Sequence, residues 1–177
     1  MSKRKLATIW LDGCSGCHMS FLDMDERLVE LSAQFDLVYS PLVDFKVFPD
    51  GVDISLVEGA VSSDADLHKI QMIRERTKVL VSLGDCAVTG NVPTMRNSFT
   101  VAAILEKGHG GGVPTGNLGS ADSLPQLLPH VRPVHEVVNV DVYVPGCPPS
   151  ADVIYGVLSD LLAGRVPSIA SVTRFGA

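Results

Sequence analysis

Short runs of consecutive apolar residues alternate along the chain with segments in which apolar side chains fall every three or four positions. Continuous apolar runs are typical of strands that a parallel sheet buries on both faces. The three-to-four spacing predicts amphipathic helices between them. The predicted strands are residues 6–11, 37–39, 52–61, 78–83 and 137–144, and the predicted helices are 19–33, a segment opened by Asp64 and Asp66, 99–105 and 150–162.

Strands that alternate with helices predict an α/β fold, in which an open, mainly parallel sheet carries helices on both faces. Right-handed crossovers bring the carboxyl ends of the strands to one edge, and ligands of such folds bind along that edge. The 177 residues suffice for one hydrophobic core, so residues 1–177 are interpreted as a single domain.

Composition and charge exclude several classes of function. The net charge of −6 and the few aromatic residues argue against a nucleic-acid partner, since the only basic cluster is at residues 3–5. No apolar stretch approaches the roughly 20 residues that span a bilayer, and residues 1–5 lead into a strand rather than into a signal peptide. We therefore expect a cytoplasmic protein with no membrane span, in a compartment where thiols stay reduced.

A glycine-rich segment at residues 108–119 lacks the Lys-Ser or Lys-Thr that would follow in a phosphate-binding loop. It is interpreted as a mobile loop or one that a partner orders, because glycine mainly signals backbone freedom. Three prolines follow at 125, 129 and 133, and they exclude a long helix there.

Each cysteine follows the end of a predicted strand. Cys14 and Cys17 form a Cys-x-x-Cys pair, whereas Cys86 and Cys147 stand alone. A single Cys-x-x-Cys is compatible with a redox dithiol, half of a zinc site, part of an iron–sulfur site, or chance. Because strand ends meet at one edge of a parallel sheet, the four thiols are predicted to converge.

Four convergent thiolates could bind either zinc or a cubane iron–sulfur cluster. Structural zinc sites in small domains usually use two close Cys-x-x-Cys pairs, whereas Cys147 is followed by proline, as is the last cysteine of bacterial ferredoxin motifs. These features favour a cluster, while zinc, a dithiol and inert buried cysteines stay open. Glycines beside the cysteines are expected to bring backbone amides to the sulfurs. They are Gly13, Gly16, Gly84 and Gly146.

Four motifs surround the cysteines and one glutamate. They are Asp-Gly-Cys-Ser-Gly-Cys-His-Met-Ser at 12–20, Leu-Val-Glu-Gly at 56–59, Gly-Asp-Cys-Ala at 84–87 and Val-Pro-Gly-Cys-Pro-Pro at 144–149. In this order, and over nearly the whole chain, they resemble the small subunit of nickel–iron hydrogenases. The run Cys-His-Met-Ser-Phe-Leu-Asp-Met-Asp-Glu and the short length most resemble the cytoplasmic, NAD-reducing members.

The resemblance implies a flavodoxin-like fold that binds one [4Fe-4S] cluster, proximal to a nickel–iron centre on a partner large subunit. The implied ligands are Cys14, Cys17, Cys86 and Cys147. It further implies a subunit of a hydrogen:NAD⁺ oxidoreductase that is not catalytic alone, and that passes electrons to iron–sulfur and flavin diaphorase subunits carrying FMN and NAD. The second cluster domain and the export signal of many hydrogenase small subunits are not expected here.

Four polar residues near the cysteines have candidate roles. Glu58 could relay protons, or it could form structural hydrogen bonds with loop amides, which is the role we expect. Asp12 and Asp85 are left unassigned: pointing inward they would lower the potential of a cluster, whereas loop aspartates more often cap backbone amides. His18 is interpreted as a helix-start residue or an interface donor rather than a ligand.

Alternatives stay open at this point. The small subunit of another soluble hydrogenase would share the motifs. The quinone-reducing subunit of respiratory complex I also resembles this chain, but it carries adjacent cysteines where Ser15 and Gly16 here separate the first two. A zinc-stabilised binding module would lack visible absorbance. The fold alone also suggests FMN at the same sheet edge, although fold does not establish function.

Overall fold

The computed structural model describes residues 3–109 and 124–176. Its strands are β1 (Arg4–Trp10), β2 (Phe35–Tyr39), β3 (Val52–Glu58), β4 (Val61–Ser63), β5 (Thr77–Leu83), β6 (Leu127–Arg132) and β7 (Val142–Val144). Five of them form a parallel sheet in the order β2-β1-β3-β5-β7, and β4 pairs with β6 antiparallel. The five-stranded order is that of flavodoxin-like folds, which confirms the predicted α/β class.

Helices cover both faces of the sheet, and each face has its own apolar core. The helices are α1 (Gly16–Leu22), α2 (Glu26–Ser32), α3 (Asp64–Arg76), α4 (Asp85–Thr89), α5 (Asn91–Thr94), α6 (Val101–His109) and α7 (Ala151–Leu162). One core joins Leu6 of β1 to Phe21 of α1 and Leu158 of α7, and the other joins Ile9 of β1 to Ile70 of α3. Side chains that alternate along a strand therefore point to different helices.

The single helix predicted for residues 19–33 is wrong, because the chain forms two helices separated by residues 23–25. Asp25 has φ 50° and ψ −125°, a backbone conformation that a right-handed helix cannot pass through. Non-glycine residues seldom adopt a positive φ, and Asp is among those that do so more often. Met24 remains 1% exposed, so the break keeps the apolar stripe in the core.

Two predicted strands are shorter than expected. The run 52–61 divides at Gly59, whose φ of +90° separates β3 from β4. The run 137–144 contributes only Val142–Val144 to the sheet, while Val137 and Val138 pack against the second core from outside a strand. The apolar runs therefore predicted which residues are buried, but not where the strands begin and end.

The remaining expectations concern the connecting segments. The proline-rich segment contains β6 rather than a long helix, as predicted. In the glycine-rich segment predicted as a loop, residues 108 and 109 end α6, and 110–119 lie outside the described residues. Among the helices of the described chain, none combines the length and apolar character needed to cross a membrane.

Candidate metal centre

The four cysteines lie at the carboxyl edge of the parallel sheet and line one pocket. Cys14 follows β1 and Cys17 lies in the first turn of α1, whereas Cys86 follows β5 and Cys147 follows β7. All four are free thiols. The structure therefore brings together the thiols that the sequence places at three separate strand ends.

The loop that carries Cys14 is held against the end of β3 by backbone hydrogen bonds. The Leu11 amide donates to the Glu58 carbonyl over 2.9 Å, and Asp12 and Ala60 exchange bonds of 3.0 and 2.7 Å. A Cβ at Gly59 would lie 2.8 Å from the Asp12 carbonyl oxygen. This close approach of two backbones explains why glycine follows the glutamate.

The sulfur of Cys17 occupies the space next to Gly84. Cys17 is buried in the first turn of α1, and a Cβ at Gly84 would lie 2.2 Å from its sulfur. Gly84 also has φ +82°, which side chains rarely tolerate. Position 84, two residues before Cys86, must therefore be glycine because the sulfur of Cys17, from a different loop, occupies the space of a side chain.

Asp85 connects the loops of the two lone cysteines. Its carboxylate accepts hydrogen bonds of 2.7 Å from the Gly146 amide and of 2.7 Å from the Gly176 amide. Its own amide donates to the Gly146 carbonyl over 2.9 Å. Asp85, which the sequence left unassigned, therefore caps backbone amides and fixes Cys86 relative to Cys147.

The expectation that glycine amides donate to the sulfurs is correct at one position and wrong at two. The Gly16 amide donates to the Cys14 sulfur over 3.4 Å. The Gly84 amide donates instead to the Val144 carbonyl, and the Gly146 amide donates to Asp85. The sheet edge and a carboxylate compete successfully for these two donors.

A buried hydrogen-bonded chain extends from the pocket into the fold. The Glu58 carboxylate accepts from the His18 amide over 2.9 Å and also contacts His18 Nδ1, while His18 Nε2 lies 3.0 Å from the Thr8 hydroxyl. Glu58 is 1% and His18 5% exposed. The interpretation of His18 as an interface donor is therefore wrong, although its place at a helix start is confirmed.

Sequence reasoning missed the pairing of His18 with Glu58. The strand pattern contains a signal for this contact. Glu58 and Thr8 occupy even-numbered positions of the paired strands β3 and β1, and side chains at even-numbered positions lie on the face that packs against α1, which carries His18. The apolar residues at such positions are Leu6, Ile54 and Leu56. The distance along the chain between His18 and Glu58 hid the contact.

Burial shapes the protonation of the thiols. It raises the pKa of Cys17 above its ordinary value, and the nearby Glu58 carboxylate adds to the rise. Burial, with the neighbouring thiols Cys14 and Cys147, also raises the pKa of Cys86 to about 11. Metal binding here would release protons from the thiols.

A zinc site differs from an iron–sulfur cluster site because all of its ligands must bind one ion. A zinc ion needs its ligands about 2.0–2.3 Å from one point. Within residues 3–109 and 124–176, no three His, Cys, Asp or Glu side chains are grouped closely enough to hold one ion.

Comparison with known proteins establishes the family. Residues 14–161 match the family model described as NADH ubiquinone oxidoreductase, 20 Kd subunit. The chain belongs to this family.

Individual relatives show which kind of protein within the family this chain is similar to. The chain is 42% identical over 181 residues to the delta subunit of the NAD-reducing hydrogenase HoxS of Cupriavidus necator, a match covering 98% of this chain and 86% of that subunit. It is 35% identical over 168 residues to one subunit of the F420-non-reducing hydrogenase vhu of Methanocaldococcus jannaschii. That match covers 93% of this chain and only 58% of the relative.

A solved structure gives the same result. A chain in the crystal structure of an NAD⁺-reducing [NiFe]-hydrogenase in the H2-reduced state is 39% identical and superposes with a TM-score of 0.91, over 98% of this chain and 99% of that one. The resemblance to nickel–iron hydrogenase small subunits is thus confirmed, and the chain is homologous to the small subunit of the NAD-reducing type.

Proposed function

We propose that this chain is the electron-transfer small subunit of a soluble, cytoplasmic NAD-reducing nickel–iron hydrogenase, and that its four cysteines bind one [4Fe-4S] cluster. The observation that carries the proposal is the single pocket lined by Cys14, Cys17, Cys86 and Cys147. Similarity to the HoxS delta subunit over nearly the whole chain supports the assignment.

The donor set fits the proposed cluster. Four cysteine thiolates are the usual ligands of a [4Fe-4S] cluster. The Gly16 amide adds a hydrogen bond to Cys14, and such bonds stabilise negative charge on sulfur. When bound, the cluster would supply one-electron transfer. The residues of this chain hold the ligands in register and shield Cys17 from water.

The remaining centres are proposed to lie on partner chains. Four is the total number of cysteines in this chain, and all four line the pocket, so the nickel–iron centre is assigned to a large subunit. FMN, NAD and further iron–sulfur centres are assigned to diaphorase subunits. Residues 1–177 are proposed to function as one domain. Hydrogen oxidation releases two protons and two electrons. NAD⁺ takes up both electrons and one proton, and the other proton is released to solvent.

Quinone reduction is the alternative suggested by the family description. The quinone-reducing subunit that resembles this chain has adjacent cysteines at the first motif, whereas Ser15 and Gly16 separate Cys14 from Cys17 here. This spacing, and the coverage of the NAD-reducing relative, favour the hydrogenase assignment.

The proposal is tested by anaerobic purification through a tag on this chain. We expect a large subunit and diaphorase chains to copurify, and the complex to reduce NAD⁺ with hydrogen. Copurification with quinone-reducing membrane subunits, or a complex without hydrogen-dependent NAD⁺ reduction, would contradict it.

For Glu58 we propose a structural role, because its carboxylate accepts the His18 amide and so fixes the helix that carries Cys17. Glu58→Gln keeps an oxygen that can accept this bond, so we expect iron content and hydrogen oxidation with an artificial acceptor close to wild type. A proton relay instead requires an ionisable carboxyl group.

The comparison variant is Glu30→Gln, which makes the same change at an exposed position of α2. Loss of hydrogen oxidation in Glu58→Gln alone, at full iron content, would assign the relay role to Glu58 and refute the structural one.

A further inference from the structure

One short segment lies beside the sulfurs of both lone cysteines. The side-chain amide of Asn91 donates to the Cys147 sulfur over 3.4 Å. The backbone amide of the next residue, Val92, opposes the rise in the pKa of Cys86. Neighbouring residues of α5 therefore act on sulfurs that come from two different strand ends.

The backbone holds Asn91 in an uncommon conformation. Asn91 has φ 33° and follows Gly90, which has φ 86°. A Cβ at Gly90 would lie 2.1 Å from the Thr94 methyl group, and the Thr94 hydroxyl donates to the Asn91 carbonyl over 2.6 Å. Asparagine is among the few side-chain-bearing residues that adopt positive φ readily. The turn thus fixes the direction in which the Asn91 amide extends.

A side-chain NH₂ is well suited to a metal-bound sulfur. A thiolate ligand carries no proton, so it can only accept hydrogen bonds. Asn91 brings a donor to Cys147 at the accessible side of the pocket, where this cysteine is exposed. The glycine expected to serve Cys147, Gly146, donates to Asp85 instead.

We propose that Asn91 raises the reduction potential of the cluster by donating a hydrogen bond to the Cys147 thiolate. The inference rests on the proposed function and adds a positioning residue that acts through a ligand. Reduction places one additional electron on the cluster, supplied by the large subunit and later passed to the diaphorase chains. Hydrogen bonds to the sulfurs stabilise this added negative charge and so help to set the potential.

Two substitutions test the proposal. Asn91→Gly removes the donor and tolerates the positive φ, while Asn91→Asp keeps the shape and replaces the NH₂ by a carboxylate oxygen. In the purified complex, an EPR-monitored redox titration follows the signal that disappears in Cys147→Ser. We expect Asn91→Gly to lower the ratio of reduced to oxidised cluster at a fixed potential about tenfold, equivalent to about 59 mV for one electron, and Asn91→Asp to lower it further.

The matched control is Asn139→Asp, which adds the same charge at an exposed residue near the amino end of β7, at the opposite edge of the sheet. In this variant we expect the ratio of reduced to oxidised cluster at a fixed potential to stay within about twofold of wild type. An unchanged midpoint in both Asn91 variants at wild-type iron and sulfide content overturns the inference and leaves the proposed function intact. Loss of the cluster from both variants would assign Asn91 to building the site and also overturns it. Absence of acid-labile sulfide from the wild-type unit of this chain and its large subunit, purified without the diaphorase chains, refutes the proposed function itself.

Discussion

Cys147→Ser is expected to uncouple hydrogen oxidation from NAD⁺ reduction in the purified complex. A serine hydroxyl is a poor substitute for a thiolate at iron, and Cys147 is the one proposed ligand supplied by the loop after β7. Changes to residues around a metal ligand already cost about 10–100-fold, so loss of the ligand should reduce hydrogen-dependent NAD⁺ reduction more than about tenfold. Rates with NAD⁺ and with an artificial acceptor are compared on one preparation.

The diaphorase chains provide the internal control for this variant. Their reduction of a dye by NADH does not depend on the proposed cluster, so that rate should equal the wild-type rate. Undiminished hydrogen-dependent NAD⁺ reduction in Cys147→Ser would show that Cys147 is not required for electron transfer.

Gly84→Ala should prevent assembly of the site although it replaces none of the four cysteines. The new Cβ would lie 2.2 Å from the Cys17 sulfur, so the thiol or the loop must move. The backbone of Gly84, with φ 82° and ψ 161°, lies in a region that is essentially restricted to glycine and adds a cost of roughly 1–3 kcal/mol for a residue with a side chain. We expect the acid-labile sulfide of the anaerobically purified unit of this chain and its large subunit to fall more than about tenfold, together with the cluster's share of the iron.

Gly156→Ala is the matched control, because it makes the same substitution within α7 at a glycine with no atom within 4 Å of the added Cβ. Alanine stabilises a helix interior by about 0.5–1 kcal/mol relative to glycine, so this variant should keep wild-type sulfide content. Full sulfide content in Gly84→Ala would contradict the packing of Cys17 against the Gly84 backbone.

The order of the main elements could be predicted from the sequence, because buried parallel strands are continuous apolar runs that differ clearly from helical spacing. The breaks at Asp25 and Gly59 could not. Each is a backbone conformation imposed by contacts elsewhere: the turn at Asp25 keeps Met24 buried, and Gly59 allows the Cys14 loop to approach β3. Local periodicity contains no information about such contacts.

One part of the candidate site could be predicted from the sequence, and another part could not. The four thiols could be located because their positions follow from strand ends. The polar groups around them could not, since Asp85, His18 and Asn91 depend on loop directions and on partners far along the chain. The amides of Gly84 and Gly146 show the reason most clearly, because each could reach several acceptors and the tertiary fold selects one.

Acid-labile sulfide tests the four-thiolate cluster most directly. The measurement uses the anaerobically purified unit of this chain and its large subunit, without the diaphorase chains and their own iron–sulfur centres, and zinc is determined in parallel. We predict about four sulfides per unit, as a [4Fe-4S] cluster requires, and no stoichiometric zinc. Stoichiometric zinc without acid-labile sulfide would contradict the assignment.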